Sequence, residues 1–244
     1  FEIDRQTAAR YPKIKRKAVL HDVVDAEGTL ALLKATQPHV VFHSAAHKHV
    51  PLMENHPGQA ITNNLFGTKS IADAAVQVGC ERFVMISSDK AVNPSSVMGA
   101  TKRLAELYIR HLASRPELRG ETRLSMVRFG NVLGSACSVL TIWGTQLAEG
   151  GPLTVTDPRM TRYFMTIPEA ATLVIQSAAL PAESAADNHT SQDAHQAGMY
   201  VLDMGEPVRI LDLATRFARM HGLTPTIREQ TLDESLMPVL QEWM

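Results

Sequence analysis

The chain has 244 residues, 45% of them hydrophobic and 20% charged, enough for one α/β domain with a full core and a small appended lobe. Lys plus Arg (24) balances Asp plus Glu (25), so no overall basic field draws nucleic acid or anionic lipid. Cys80 and Cys137 are too few for a disulfide framework and read as reduced buried thiols, and no apolar run approaches the roughly 20 residues that cross a bilayer. The expectation is a soluble domain in a reducing compartment, and a start at Phe1 reads as a fragment.

Up to Gly130, apolar β-rich runs alternate with helical patterns, which predicts βαβ units and a parallel sheet. Val40-Val41-Phe42 follows Pro38 as a short buried strand and ends at Ser44-Ala45-Ala46. Pro57 to Val78 reads as one long helix, with Ile61, Leu65, Thr68, Ala72 and Ala75 on one face and Gly79 as its stop. Arg82 to Ser87 is the clearest strand. A polar turn through Asn93-Pro94 leads to a helix from Ser96 to Ala113, and Thr122 to Phe129 is the next strand. Gly130 to Gly134 turns into a further helix.

From Gly150 the spacing is irregular. Short strands at Leu153-Val155 and Tyr200-Leu202 flank a helix near Glu169 to Ala179, which predicts a substrate-covering lobe over 150–244 that is not a separate folding unit, after a sheet domain over 1–149. Pro181 to Gly198 is polar and poor in aromatics, as a mobile loop is. There are no internal repeats.

The segment SSDKAVNPSSVMGATKR (87–103) carries the most chemistry. It begins where a parallel strand ends, and open α/β sheets bind ligands in the crevice beyond strand carboxyl ends. Ser88, Asp89 and Lys90 place a hydroxyl, an acid and an amine on that rim. Lys102 follows Met98 by four residues, so the two share a helix face. An acid–lysine dipeptide alone reads as a solvated loop; the strand, proline turn and helix around it favour a site. Histidines 39, 43, 47, 49 and 56 fall within eighteen residues and raise the question of zinc. No cysteine or carboxylate of suitable spacing completes a site, so no metal is expected.

With AAHKHVPLMENHP before this segment, and RFGNVLGS and MTRYFMTIPEA after it, the chain from Phe1 to Ile210 resembles the bacterial UDP-N-acetylglucosamine 4,6-dehydratase family. That family belongs to the extended short-chain dehydrogenases/reductases and serves capsule, lipopolysaccharide and glycan synthesis. The resemblance implies a Rossmann-like parallel sheet and NAD or NADP as cofactor. NAD(P) would take a hydride from carbon 4 of the sugar, water would leave across carbons 5 and 6, and the hydride would return to carbon 6. It also implies a UDP-sugar substrate, a homo-oligomer when intact, and a place in the cytoplasm or on the cytoplasmic face of the inner membrane. No contact of this segment with nucleic acid or membrane is implied.

By the same resemblance, Lys102 holds the nicotinamide ribose, Asp89 protonates the departing carbon 6 hydroxyl, Lys90 removes the carbon 5 proton and Ser88 bonds the carbon 4 hydroxyl. Asn64 supports the active-site lysine. Asp22, Val23, Ala45 and Ala46 line the cofactor, and Lys48, Asn131 and Arg162 the sugar and its diphosphate. Met98 stands where a catalytic tyrosine is usual, as in the longer, membrane-anchored branch of the family. A thioether cannot accept the hydroxyl proton, so that acceptor stays unassigned.

Three departures qualify this expectation. No Gly-x-x-Gly-x-x-Gly turn occurs among the 244 residues, so the first two strands of the sheet and their pyrophosphate cradle are expected to be missing, with NAD(P) held weakly. SACSVLT (135–141) loses an arginine and a turn glycine near the substrate, and the tail after Met220 lacks the family's Arg-Pro-Gly-Glu-Lys segment. The rival readings are a nucleotide-sugar 4- or 5-epimerase of the same fold and a truncated, non-catalytic remnant.

Overall fold

The computed structural model describes residues 2–118, 122–135, 138–180, 197–224 and 226–229. In chain order come α1 (Glu2–Arg10), α2 (Ala26–Thr36), β1 (Val40–His43), α3 (Val50–Asn55), α4 (Pro57–Ile61), a π-helical turn (Thr62–Phe66), α5 (Gly67–Gln77), β2 (Arg82–Ile86) and α6 (Val97–Ser114). Then follow β3 (Arg123–Arg128), β4 (Asn131–Val132), α7 (Val139–Ala148), β5 (Leu153–Val155), β6 (Thr161–Arg162), β7 (Phe164–Met165), α8 (Ile167–Ala179), β8 (Gly198–Val201), β9 (Val208–Arg209), α9 (Ile210–Met220) and β10 (Ile227–Glu229). No described helix is long and apolar enough to cross a membrane.

The sheet runs β1-β2-β3-β8, with every pairing parallel. β2 is central and apolar on both faces, because both faces are covered. Phe83 and Met85 pack with Leu33 of α2, Ala72 and Ala75 of α5, and Ala105 and Ile109 of α6. On the other face Val84 and Val127 meet Ala170, Val174 and Ala178 of α8. A further core gathers Trp143 of α7, Leu153 and Val155 of β5, and Ile210, Ala214 and Ala218 of α9.

These cores do not follow the expected division at 149/150. α7, from before it, belongs with the lobe core, whereas α8 and β8, from after it, complete the parallel sheet. Side-chain contact decides the grouping, and contact here crosses chain order.

Local signals explain most boundaries. Ser96 caps α6 by accepting from Gly99 N at 3.1 Å, and Thr166 with Glu169 forms a capping box on α8. Gly79, at φ +70°, ends α5. The expected single helix over 57–78 is interrupted by the π turn at 62–66, and the turn at 130–134 contains the short strand β4. No strand forms ahead of Asp22. A strand needs a ladder partner, and β1 has none on its outer side among the described residues, leaving Val40 and Phe42 exposed on that edge and Leu20 fully so. The loop expected over 181–198 falls mostly outside the described residues, as do Ala136, Cys137 and most of the tail beyond Met220; Cys80 is buried and free.

Candidate active site

The turn after β2 sits between two strand ends, because Asp89 N donates to Phe129 O at 3.1 Å. Ser88 starts it as a cap, and its hydroxyl donates to Asp89 Oδ1 at 2.9 Å. Lys90 Nζ donates to the same oxygen at 3.0 Å and to Asn131 Oδ1 at 3.3 Å. Asn131 in turn donates its backbone N–H to Tyr163 O at 3.0 Å, which brings the β6–β7 segment and Arg162 alongside. α6 presses close: a Cβ on Gly99 would stand 2.2 Å from Lys90 O. The structure therefore brings Ser88, Asp89, Lys90, Asn131 and Arg162 into one cluster at the carboxyl rim of the sheet.

The electrostatics follow from burial. Burial lowers Lys90 below the usual lysine range; the Asp89 charge and hydrogen bond oppose this, and the Arg162 charge adds to it. Burial also lowers Arg162, against the pull of Asp89.

Lys102 projects from α6 to the same rim, where Nζ donates to Ile86 O at 3.0 Å. Burial pushes it down to about 8, and the charge of Glu106 works the other way. Met98, one turn earlier, is buried with Met53 and Ala60 in an apolar cluster.

Asn64 is bonded to two neighbouring segments. It is fully buried in the π turn; Nδ2 donates to His47 O (3.1 Å) and Thr101 Oγ1 (3.0 Å), and Oδ1 accepts from His47 N (2.8 Å). An amide committed in this way ties the β1–α3 loop to the residue before Lys102. Thr68 Oγ1 donates to Asn64 O at 2.6 Å, so it must accept from His43 at 2.9 Å, which fixes His43 as the Nε2–H tautomer.

The remaining expected residues scatter along the β1 side. Ala45 is exposed and Ala46 half-buried just beyond the end of β1. Asp22 is exposed and accepts from Val24 N at 3.0 Å, and Val23 packs against Gly67 at the start of α5. Lys48 lines an open groove of about 640 Å³ with His47, His49 and His56, while His43 turns away into the core. Among the described residues no three His, Cys, Asp or Glu side chains converge as metal ligands.

A buried ion network beneath the rim is not anticipated from sequence. Glu106 Oε1 accepts from Ser87 Oγ (2.6 Å) and Arg128 Nε (2.7 Å), and Oε2 from Arg128 Nη2 (2.5 Å) and Arg103 Nη1 (3.1 Å). The available signal was spacing: Glu106 lies four residues after Lys102, on its helix face.

Comparison with known proteins agrees with this architecture. The chain is 53% identical over 203 residues to the probable polysaccharide biosynthesis protein EpsC of Bacillus subtilis (strain 168), covering 83% of this chain but only 31% of EpsC. Among solved structures, Pen from Bacillus thuringiensis superposes with a TM-score of 0.81 at 28% identity, over 96% of this chain and 69% of that one. MoeE5 in complex with UDP-glucose and NAD shares the fold, with a TM-score of 0.72 at 20% identity over 87% of this chain and 71% of that one. Residues 1–235 match the family described as polysaccharide biosynthesis protein, and the chain belongs to that family.

Proposed function

We propose that this chain carries the catalytic face of an NAD(P)-dependent 4,6-dehydratase that converts a UDP-linked N-acetylhexosamine to its 4-keto-6-deoxy form for polysaccharide synthesis. The observation that carries the reading is the pair at the β2 rim, Lys90 Nζ 3.0 Å from Asp89 Oδ1. Elimination across carbons 5 and 6 needs a base and an acid acting on adjacent carbons, and an amine and a carboxylate at this separation match that demand.

The nicotinamide cofactor, when bound, supplies a hydride acceptor for carbon 4 and gives the hydride back at carbon 6. The residues present fit its nicotinamide–ribose end. Lys102 is a buried amine whose ammonium form has three N–H donors, one of them held by Ile86 O. MoeE5, which shares the fold, has been solved with NAD and UDP-glucose.

Lys90 takes the carbon 5 proton, and its burial beside Arg162 favours the neutral amine this requires. Asp89 gives a proton to the carbon 6 hydroxyl, which leaves as water. The proton has a source in the same sugar, because the carbon 4 hydroxyl must lose one as carbon 4 is oxidised. Met98 cannot accept it. Ser88 Oγ, already bonded to Asp89 at 2.9 Å, relays it to that carboxylate. Lys90 finally returns its proton to carbon 5, so the balance closes as one sugar in, one keto sugar and one water out. Asn131 and Arg162 flank the pair as donors for the diphosphate, a task suited to a guanidinium fork.

The deciding experiment incubates the full-length protein with UDP-N-acetylglucosamine and NAD(P) and weighs the product by mass spectrometry. A product lighter by one water is expected. An isomer of unchanged mass would replace this reading with a 4- or 5-epimerase.

A further inference from the structure

We propose that Glu106 is a positioning residue that grips the end of β2 and sets a buried carboxylate one helical turn from Lys102; this rests on the role given to Lys102 above. The grip is a matter of register. Lys102 and Glu106 are one helical turn apart on α6, and they bond successive residues of the strand end: Lys102 the carbonyl of Ile86 at 3.0 Å, Glu106 the hydroxyl of Ser87 at 2.6 Å. The next residues are Ser88, Asp89 and Lys90, so the helix that carries the cofactor lysine and the turn that carries the acid and base are set against each other by these two contacts.

Charge is the second part. Glu106 is fully buried, and burial alone would push its carboxyl up. Hydrogen bonds from Arg128, Ser87 and Arg103 together hold it below the usual carboxylate range, so it is an anion. Lys102, buried to 7% exposure, has that anion as the neighbour that favours its ammonium form. The elements around Lys102 also carry, among others, Arg103 on α6, Arg128 on β3, His43 on β1, and Asp89 and Lys90 in the turn after β2. His43 is held neutral by burial, and Glu106 is paired directly with Arg103 and Arg128.

A clamp that is only structural and a clamp that sets charge differ in one readout. An amine reacts with acetic anhydride only when deprotonated, so the pH dependence of Lys102 acetylation, read by peptide mass spectrometry on the full-length protein without cofactor, reports its titration. Glu106→Gln keeps the size and the Ser87 bond and removes the charge, so the half-point should fall by about one pH unit. Arg103→Ala removes a cation bonded to Glu106 and leaves that carboxylate less neutralised, so the half-point should rise. Opposite shifts in the two variants support the proposal. A half-point unmoved in a folded Glu106→Gln protein overturns it. If Glu106→Gln does not fold, Arg103→Ala decides alone: a rise supports the proposal, and no change or a fall overturns it. Shifted half-points in a protein that fails to release water from UDP-N-acetylglucosamine would leave Glu106's role standing and remove the dehydratase reading instead.

Discussion

Lys90 Nζ and Ser88 Oγ converge on one atom, Asp89 Oδ1, at 3.0 and 2.9 Å. If Asp89 first receives the carbon 4 proton through Ser88 and then delivers it to the carbon 6 hydroxyl, it serves both halves of the reaction. Asp89→Asn should then slow oxidation and elimination together, by about a hundred- to ten-thousand-fold, the usual worth of a general acid–base group. Lys90→Met should behave differently. Oxidation at carbon 4 survives, elimination stops, and reduced nicotinamide accumulates on the enzyme, visible in its absorbance band. Accumulation of reduced nicotinamide in Asp89→Asn as well would mean that another group accepts the first proton.

Close approach of α6 to the catalytic turn yields a second prediction. Alanine is the better helix former by about 1 kcal/mol, so Gly99→Ala would stabilise a freely exposed helix. Here the added Cβ meets Lys90 O at 2.2 Å and Pro94 Cβ at 3.1 Å, and backbone cannot swing aside as a side chain can. The variant should lose about 1–3 kcal/mol in urea unfolding, as overpacked sites do, and lose more activity than stability because the turn is displaced. A gain in stability would contradict the packing of α6 on this turn.

The parts legible in the sequence are those with local causes. Arg82–Ile86 shows as a strand because a buried parallel strand is apolar on both faces, and Ser96 marks the start of α6 because a capping hydroxyl acts within three residues. Ser88, Asp89 and Lys90 could be placed at a rim for the same reason. What could not be read depends on distant partners. The π turn at 62–66 is accompanied by Asn64's bonds to His47 and Thr101, 17 and 37 residues away, and periodicity alone reads one continuous helix. Glu106 needs Arg128, 22 residues on, before its burial makes sense. Met98 was placed by its motif, while its surroundings, Met53 of α3 and Ala60 of α4, come from two other helices.

His43 predicts a pH dependence of stability. The ring is 2% exposed, stacked on Phe83 and bonded to Thr68; burial, then the charge of Lys102, pushes it down to about 4 from 6.5. A folded-state value below the unfolded one means that the unfolded chain binds more protons between those two pH values. Stability is therefore full above about pH 6.5 and declines as the pH falls toward 4, by a total on the order of 3 kcal/mol. His43→Gln keeps a donor for Thr68 but cannot titrate, so its urea midpoint should change less between pH 7 and pH 5 than the parent's. Equal slopes would show that other groups carry the acid sensitivity.

Met98 gives the last test, since a tyrosine is usual at its place in the motif. Its side chain is 4% exposed among Met53, Ala60, Val50 and Val97. Met98→Leu conserves volume, so it should cost less than about 1.5 kcal/mol and leave dehydration within a few-fold of the parent. Met98→Tyr brings a larger ring and a hydroxyl into that cluster, which should cost about 1–3 kcal/mol from overpacking, with a further loss if the hydroxyl finds no partner. Neither variant should speed oxidation at carbon 4 if the proton takes the proposed route through Ser88 and Asp89. Stopped-flow absorbance of reduced nicotinamide measures that step directly. A Met98→Tyr protein that oxidises the sugar faster than the parent would show that a phenol at this position reaches carbon 4. The Ser88–Asp89 route would then have to be abandoned.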